Sequence, residues 1–176
     1  MGFITIDYVI NNALESVNFE VVNNEDIQNA IDDVTSTIQQ HLGRDILKGT
    51  YTQYITDWEY NSAREAYTYI PDNYPIISAD TDFDGIYLVS QSQKKKVEYT
   101  AGYVGPEQTG DGEKLPNVFR RVCFNLVMYE LISATDRMIQ YDSVEKNIGG
   151  VTSTLRKSTG IYERELKKLQ GWQRLV

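Results

Sequence analysis

One cysteine and one histidine are the first limits on what this chain of 176 residues can do. A lone Cys123 closes no intrachain disulfide, so a secreted scaffold stapled by bridges is excluded and a reducing cytoplasm is the expected setting. A lone His41 leaves a nucleophilic triad or a zinc site without its residues. His41 stands two positions before Gly43 at the end of a predicted helix, where it reads as a packing residue or a partner of the helix C-terminus. No apolar run approaches the roughly 20 residues that a membrane span needs, and the first residues lack the basic region of a signal peptide. Ile6 stands where a myristoylation signal wants Ser or Thr, so no membrane partner is expected.

The signatures of catalysis are equally scarce. The glycines between Gly105 and Gly112 lack the Gly-Lys-Ser/Thr ending of a phosphate-cradling loop. Carboxylates are plentiful but dispersed, and no pair stands out as an acid–base couple. An enzyme is therefore not expected, nor is a cofactor. One motif resembles a metal loop: Asp80-Thr81-Asp82-Phe83-Asp84-Gly85 carries carboxylates at alternate positions and glycine at the sixth. Its twelfth position is Gln91, not a bidentate Glu, and its flanks read as strands. Asp80, Asp82 and Asp84 are weak calcium candidates, and a turn between two strands is preferred.

Positive charge is missing from residues 1–43, which carry Asp7, Glu15, Glu20, Glu25, Asp26, Asp32 and Asp33 but no Lys or Arg. The chain as a whole has a formal net charge of −8. Residues 151–176 reverse the sign, with Arg156, Lys157, Arg164, Lys167, Lys168 and Arg174 against Glu163 and Glu165. An acidic body with a basic end reads either as solvated helix faces or as a surface that docks on something acidic.

What is present is helical at both ends and strand-like between. Thr5 can cap a helix over 5–18, with Ile6, Ile10, Ala13, Leu14 and Val17 on one face. Asn23 caps a second helix over 24–42, whose face is Ile27, Ala30, Ile31, Val34, Ile38 and Leu42 and whose stop is Gly43. From residue 50 to 100 come short runs rich in Tyr, Ile, Val and Thr, separated by Asn, Asp, Pro and Gly, which read as a small antiparallel sheet. Pro116 opens a long helix over 116–140, apolar around most of its circumference, spanning about 37 Å at ~1.5 Å per residue. Only Asn117, Arg121 and Asn125 form a polar stripe on it, so neighbours are expected to cover nearly every side. The fold class expected is α+β and mainly helical. It is a helical bundle around one long central helix, with a small antiparallel β-sheet insertion and a C-terminal helical tail. The body is expected to span 1–150 and a basic docking segment 151–176, jointed at Gly149-Gly150.

The order of these features resembles a known family. Gly43-Arg44 closes the second helix, Tyr51 starts the strands, and Pro75-Ile76-Ile77-Ser78 and an Asp84-Gly85 turn follow. Tyr99-Thr100-Ala101-Gly102-Tyr103, a spacer, and Leu115-Pro116 then lead into the long helix. Over about residues 20–140 this is similar to the head–tail connector proteins of tailed phages, the adaptors that form a ring beneath the portal. The chain departs from them in a longer helix before Asn23 and in its basic C-terminus.

The resemblance implies a virion protein of the neck, assembled in the host cytoplasm and joining capsid to tail. Its partners would be further copies of itself in a ring, with twelve the usual number, the portal, and downstream neck or tail proteins. Double-stranded DNA would pass through the channel without sequence-specific binding, past an acidic wall supplied by the helix near Asn23–Gly43. Phe119, Arg121, Asn125 and Tyr129 are the expected contacts between copies. The loop between Thr56 and Ala66, with Trp58 and Tyr60, is expected to project toward a partner among the aromatics of the sheet. Leu166, Leu169 and Trp172 are expected to bury in the portal, while Arg156, Lys157, Lys167, Lys168 and Arg174 meet its acidic surface. The alternatives are a calcium- or ligand-binding β-rich module resting on Asp80, Asp82 and Asp84, or another ring protein of the neck or tail.

Overall fold

A computed structural model describes residues 2–13, 22–55, 58–91, 96–143 and 155–173. The chain divides into two compact units, one made of Met1–Gly43 with Pro116–Leu175, the other of Arg44–Leu115.

The first unit is helical: α1 (Ile6–Asn12), α2 (Asn24–Leu42), α3 (Asn117–Ser143) and α4 (Leu155–Lys167), closed by a 3-10 turn over Gln170–Trp172. Helix α1 is shorter than expected, because Ala13 turns to extended backbone; residues 14–18 of the expected helix lie outside the described residues. Helix α2 starts where Asn23 Oδ1 accepts from the Asp26 amide at 2.9 Å and Asp26 returns a bond to the Asn23 amide at 3.2 Å. This reciprocal pair satisfies two amides that a helix start otherwise leaves unpaired. Gly43 ends α2 at φ +69, a left-handed conformation that glycine enters without penalty.

Ile27, Ile31, Val34, Ile38 and Leu42 of α2 are buried at helical period, and α2 packs on α3. Among the described side chains of α3, Phe119, Val122, Cys123, Leu126, Val127, Met128 and Leu131 are buried, while Asn117, Arg121 and Asn125 are exposed. The start of the chain seals this core. Gly2 lies so near Ile31 that a Cβ there would sit 2.2 Å from its Cγ2, and the Phe3 amide donates to Thr35 Oγ1 at 3.2 Å. The Phe3 ring meets Phe119 at 5.7 Å.

The described residues of the second unit form seven strands: β1 (Gly49–Tyr54), β2 (Glu59–Asn61), β3 (Ala66–Tyr69), β4 (Ile76–Ala79), β5 (Phe83–Asp84), β6 (Tyr87–Ser90) and β7 (Lys96–Ala101). They form two antiparallel sheets, β1-β7-β4 and β2-β3-β6-β5. Strand β7 alternates strictly, with Val97, Tyr99 and Ala101 buried and Lys96 and Glu98 exposed, as a half-covered strand must. Ile55, Ile76, Leu88, Val97, Tyr99 and Ala101 make one core shared by both sheets, with Tyr51, Trp58, Tyr69 and Ala79 packed against it.

The architecture thus overturns the expected helical bundle around one long helix. Two sheets of three and four strands bury a core of their own, so the middle of the chain is not a small insertion. Over residues 117–132 the expectation for α3 itself holds: Asn117, Arg121 and Asn125 are exposed, and the other positions, Met128 among them, are buried or half-buried. The boundary expected at residue 150 falls outside the described residues; what is described of the C-terminal segment belongs to the helical unit.

Candidate interaction surfaces

The Tyr99-Thr100-Ala101-Gly102-Tyr103 stretch has a physical explanation within the β unit. β7 ends at Ala101, and Gly102 follows at φ +102, where a Cβ would lie 2.5 Å from the Leu47 carbonyl oxygen. Only glycine permits that crossing. Immediately after it, the Tyr103 amide donates to Ile46 O and the Lys48 amide donates to Tyr103 O, both at 2.8 Å. Gln108 closes the loop, accepting from the Gly105 amide and donating to Lys48 O, each at 2.9 Å. Lys48 Nζ adds a bond to Asp111 O at 2.9 Å. The glycine-rich loop is therefore a braced connection that ends at Leu115.

A glutamine links the two sheets. The Tyr99 hydroxyl donates to Gln53 Oε1 at 2.9 Å, and Gln53 Nε2 donates to the Tyr69 hydroxyl at 2.9 Å, so β7, β1 and β3 meet on one side chain. Burial and the Asp45 charge push the Tyr51 hydroxyl up to about 12, so it stays protonated beside Tyr99, 5.7 Å away. Arg44 lies buried with its guanidinium 3.4 Å over the Tyr74 ring, and Nη1 donates to Tyr74 O at 2.7 Å. Desolvation lowers its pKa, and the nearby Tyr74 and Tyr103 oxygens oppose that shift.

The expected projecting loop between Thr56 and Ala66 is in part a strand. Glu59–Asn61 forms β2, the edge of the larger sheet, paired with β3. Trp58 packs inward, 6.3 Å from Tyr69, so it is a core residue rather than a free anchor. Tyr60 is 58% exposed and stacks edge-on to Tyr67 at 5.3 Å. Tyr54, Phe83, Tyr87 and Ile70 are exposed too, but on four different strands or strand ends.

Asp80, Asp82 and Asp84 do not converge. Asp80 pairs with the Glu98 backbone through its own amide at 3.0 Å and its Oδ1 at 3.3 Å. Asp82 uses its carbonyl to hold the Val89 amide, and Asp84 forms an ion pair with Arg64 at 2.6 Å. Gly85 at φ +65 makes the turn from β5 to β6. Asp80 and Asp82 share an open hollow of about 320 Å³ with Ala79, Thr81, Val89, Ser90 and Gln91. Among the described residues, no group of three or more His, Cys, Asp or Glu is placed to hold a metal ion.

Three of the residues expected to contact other subunits, Phe119, Asn125 and Tyr129, meet the C-terminal segment within the helical unit instead. Phe119 is fully buried, between Phe3 and Trp172, whose ring lies 5.2 Å away. Asn125 Nδ2 donates to Glu165 Oε2 at 2.9 Å, and Tyr129 stacks edge-on to Tyr162 at 6.2 Å. The Tyr162 hydroxyl donates to Glu130 Oε1 at 2.6 Å. Each step forward along α4 is a step back along α3, so the two helices run antiparallel. Leu169 is fully buried, Leu166 half-buried, and Lys167 and Lys168 are exposed. Arg121 is exposed, Arg156 and Lys157 fall in the first turn of α4, and Arg174 lies outside the described residues.

Glu165, Tyr162 and Glu130 were not among the expected site residues. Glu165 is 3% exposed and holds Lys168 Nζ at 2.6 Å as well as Asn125. Burial pushes its pKa up, but the Asn125 and Lys168 hydrogen bonds and the Lys168 and Arg164 charges outweigh burial and hold it below the usual value. Burial and the bond to Glu130 move the Tyr162 hydroxyl the other way. The spacing of Tyr162, Glu165, Leu169 and Trp172 marks an inward face and could have placed Glu165 on it.

Among models of known protein families none matches this chain, and no curated protein is significantly similar to it. Among the described residues no helix is long and apolar enough to cross a membrane.

Proposed function

We propose that the chain is a head-to-tail adaptor of a tailed phage, a structural virion protein that forms a ring beneath the portal and encloses part of the DNA channel. The observation that carries this reading is the run from Tyr99 to Pro116. A strand ends in a tight glycine crossing, a braced loop follows, and the chain enters a helix of 27 residues. That arrangement matches the part of the sequence on which the resemblance rests most heavily. The exposed carboxylates of α2 (Glu25, Asp26, Asp32 and Asp33) suit a channel wall, because phosphates are not held by a surface of their own sign.

In this reading copies contact one another through exposed Arg121 and the polar rim of α3, and exposed Lys167 and Lys168 face acidic portal surface. Tyr60 on the sheet edge is a further candidate anchor. The test is electron microscopy and native mass measurement of the purified chain, alone and with candidate portal rings. A closed ring of copies seated on a portal is expected. A chain that stays off every portal offered, and that forms no ring at any concentration, overturns the reading.

A further inference from the structure

The contact between α3 and α4 is built unlike the rest of the helical unit. Helix α2 meets α3 through an apolar face that holds one neutral polar residue, Thr35, whereas the inward face of α4 and the turn after it places a carboxylate, Glu165, between Tyr162 and Leu169. A buried carboxylate stabilises a contact only while its hydrogen bonds are intact, and an apolar side chain of similar size generally holds as well or better. Removing either partner leaves a desolvated polar group behind. The α3–α4 contact is therefore conditional, where the α2–α3 contact is not.

The helix is also weak in itself. It has 13 residues, a length that is marginal alone in water, and Gly160 sits within it. A Cβ at Gly160 would meet nothing within 4 Å, so that glycine answers no packing need. We propose that α4 is a clasp that opens and closes on α3 while α2 and α3 stay folded, with the Glu165 carboxylate as its catch.

The groups facing the catch are Asn125 on α3 and Arg164 and Lys168 on α4. Glu130 on α3 faces Tyr162 one turn away, and the Asp33 charge of α2 acts on the same hydroxyl. An acidic partner that draws Lys168 away weakens the catch, which gives the basic face of α4 a second role. Once open, α4 and the turn after it present Leu169 and Trp172 beside Lys167 and Lys168, and Phe119 keeps its Phe3 contact but loses Trp172. Use of the open form in docking rests on the adaptor reading; the opening itself does not.

Segment-resolved amide hydrogen exchange on the full chain at neutral pH tests the clasp. Amides of 161–167 are expected to exchange at least tenfold faster than the slowest amides of α2 and α3. Glu165→Gln should speed them about tenfold further and leave α2 unchanged. Gly160→Ala should slow them about fivefold, and only them. Exchange of α4 in step with α2, or a Gly160→Ala effect spread evenly over the unit, overturns the proposal. If Glu165→Gln fails to fold, Gly160→Ala alone decides. A chain that ignores every portal while α4 still exchanges separately sinks the adaptor reading and leaves the clasp standing.

Discussion

Asn125 on α3 donates a 2.9 Å hydrogen bond to Glu165 on α4, an exposed residue reaching a carboxylate that is 3% exposed. The bond makes α4 sensitive to acid. Glu165 ionises at lower pH in the folded chain than in the unfolded one, where a Glu titrates near about 4.3. Its contribution is therefore fully present above about pH 5 and is lost as pH falls through the lower, folded value. In a Trp58→Phe chain, emission from Trp172 should stay constant from pH 8 to 5 and shift to the red below about pH 4. A constant spectrum down to the pH of global unfolding would contradict this.

Much of this was legible in the sequence, and the failures have physical causes. Residues 24–42 read as a helix because Asn23, the apolar period and Gly43 agree at start, face and stop. Strands such as Ile76–Ala79 stood out by β-branched and aromatic composition. Which strands pair is a non-local matter, so composition shows one sheet where the structure has two, and leaves β2 inside a loop. By composition Glu165 counts as one more surface charge of the basic end, because a charge is normally solvated. Its burial is tolerable because Asn125, 40 residues away, and Lys168, three residues away, hydrogen-bond it and Arg164 adds its charge.

Cys123 is silent by position. Burial pushes its thiol up to about 12, against weaker opposing bonds from Thr35 and Phe3. Since the thiolate is the reactive form, the folded protein should leave a thiol reagent unconsumed at pH 8. Labelling is expected to follow the rate of unfolding as denaturant rises. Rapid stoichiometric labelling of the native protein would show that the α2–α3 core is open to solvent.

Gly102 and Gly43 both have positive φ, yet they should respond differently to alanine. At Gly43 a Cβ meets nothing within 4 Å, so Gly43→Ala carries only the conformational cost, about 1 kcal/mol. At Gly102 the Cβ would stand 2.5 Å from Leu47 O, and Gly102→Ala should cost about 3 kcal/mol or more. Denaturant melts of the two variants would compare them. Equal losses would mean that the Leu47 crossing relaxes freely.

Gln53 should be worth more than either of its tyrosine bonds taken alone. Tyr99→Phe removes one donor and leaves Gln53 Oε1 with the longer bond from the Asp72 amide at 3.4 Å, so a loss of about 1 kcal/mol is expected. Gln53→Leu takes a hydrogen bond from both tyrosine hydroxyls at once, leaving Tyr99 with the longer bond from the Asn73 amide at 3.4 Å, and should cost about 2 kcal/mol. Because both changes act on one network, the double variant should lose less than the two single losses added. Additive losses in urea melts would instead mean that the two sheets are held by their apolar core alone, with the glutamine contributing no joint between them.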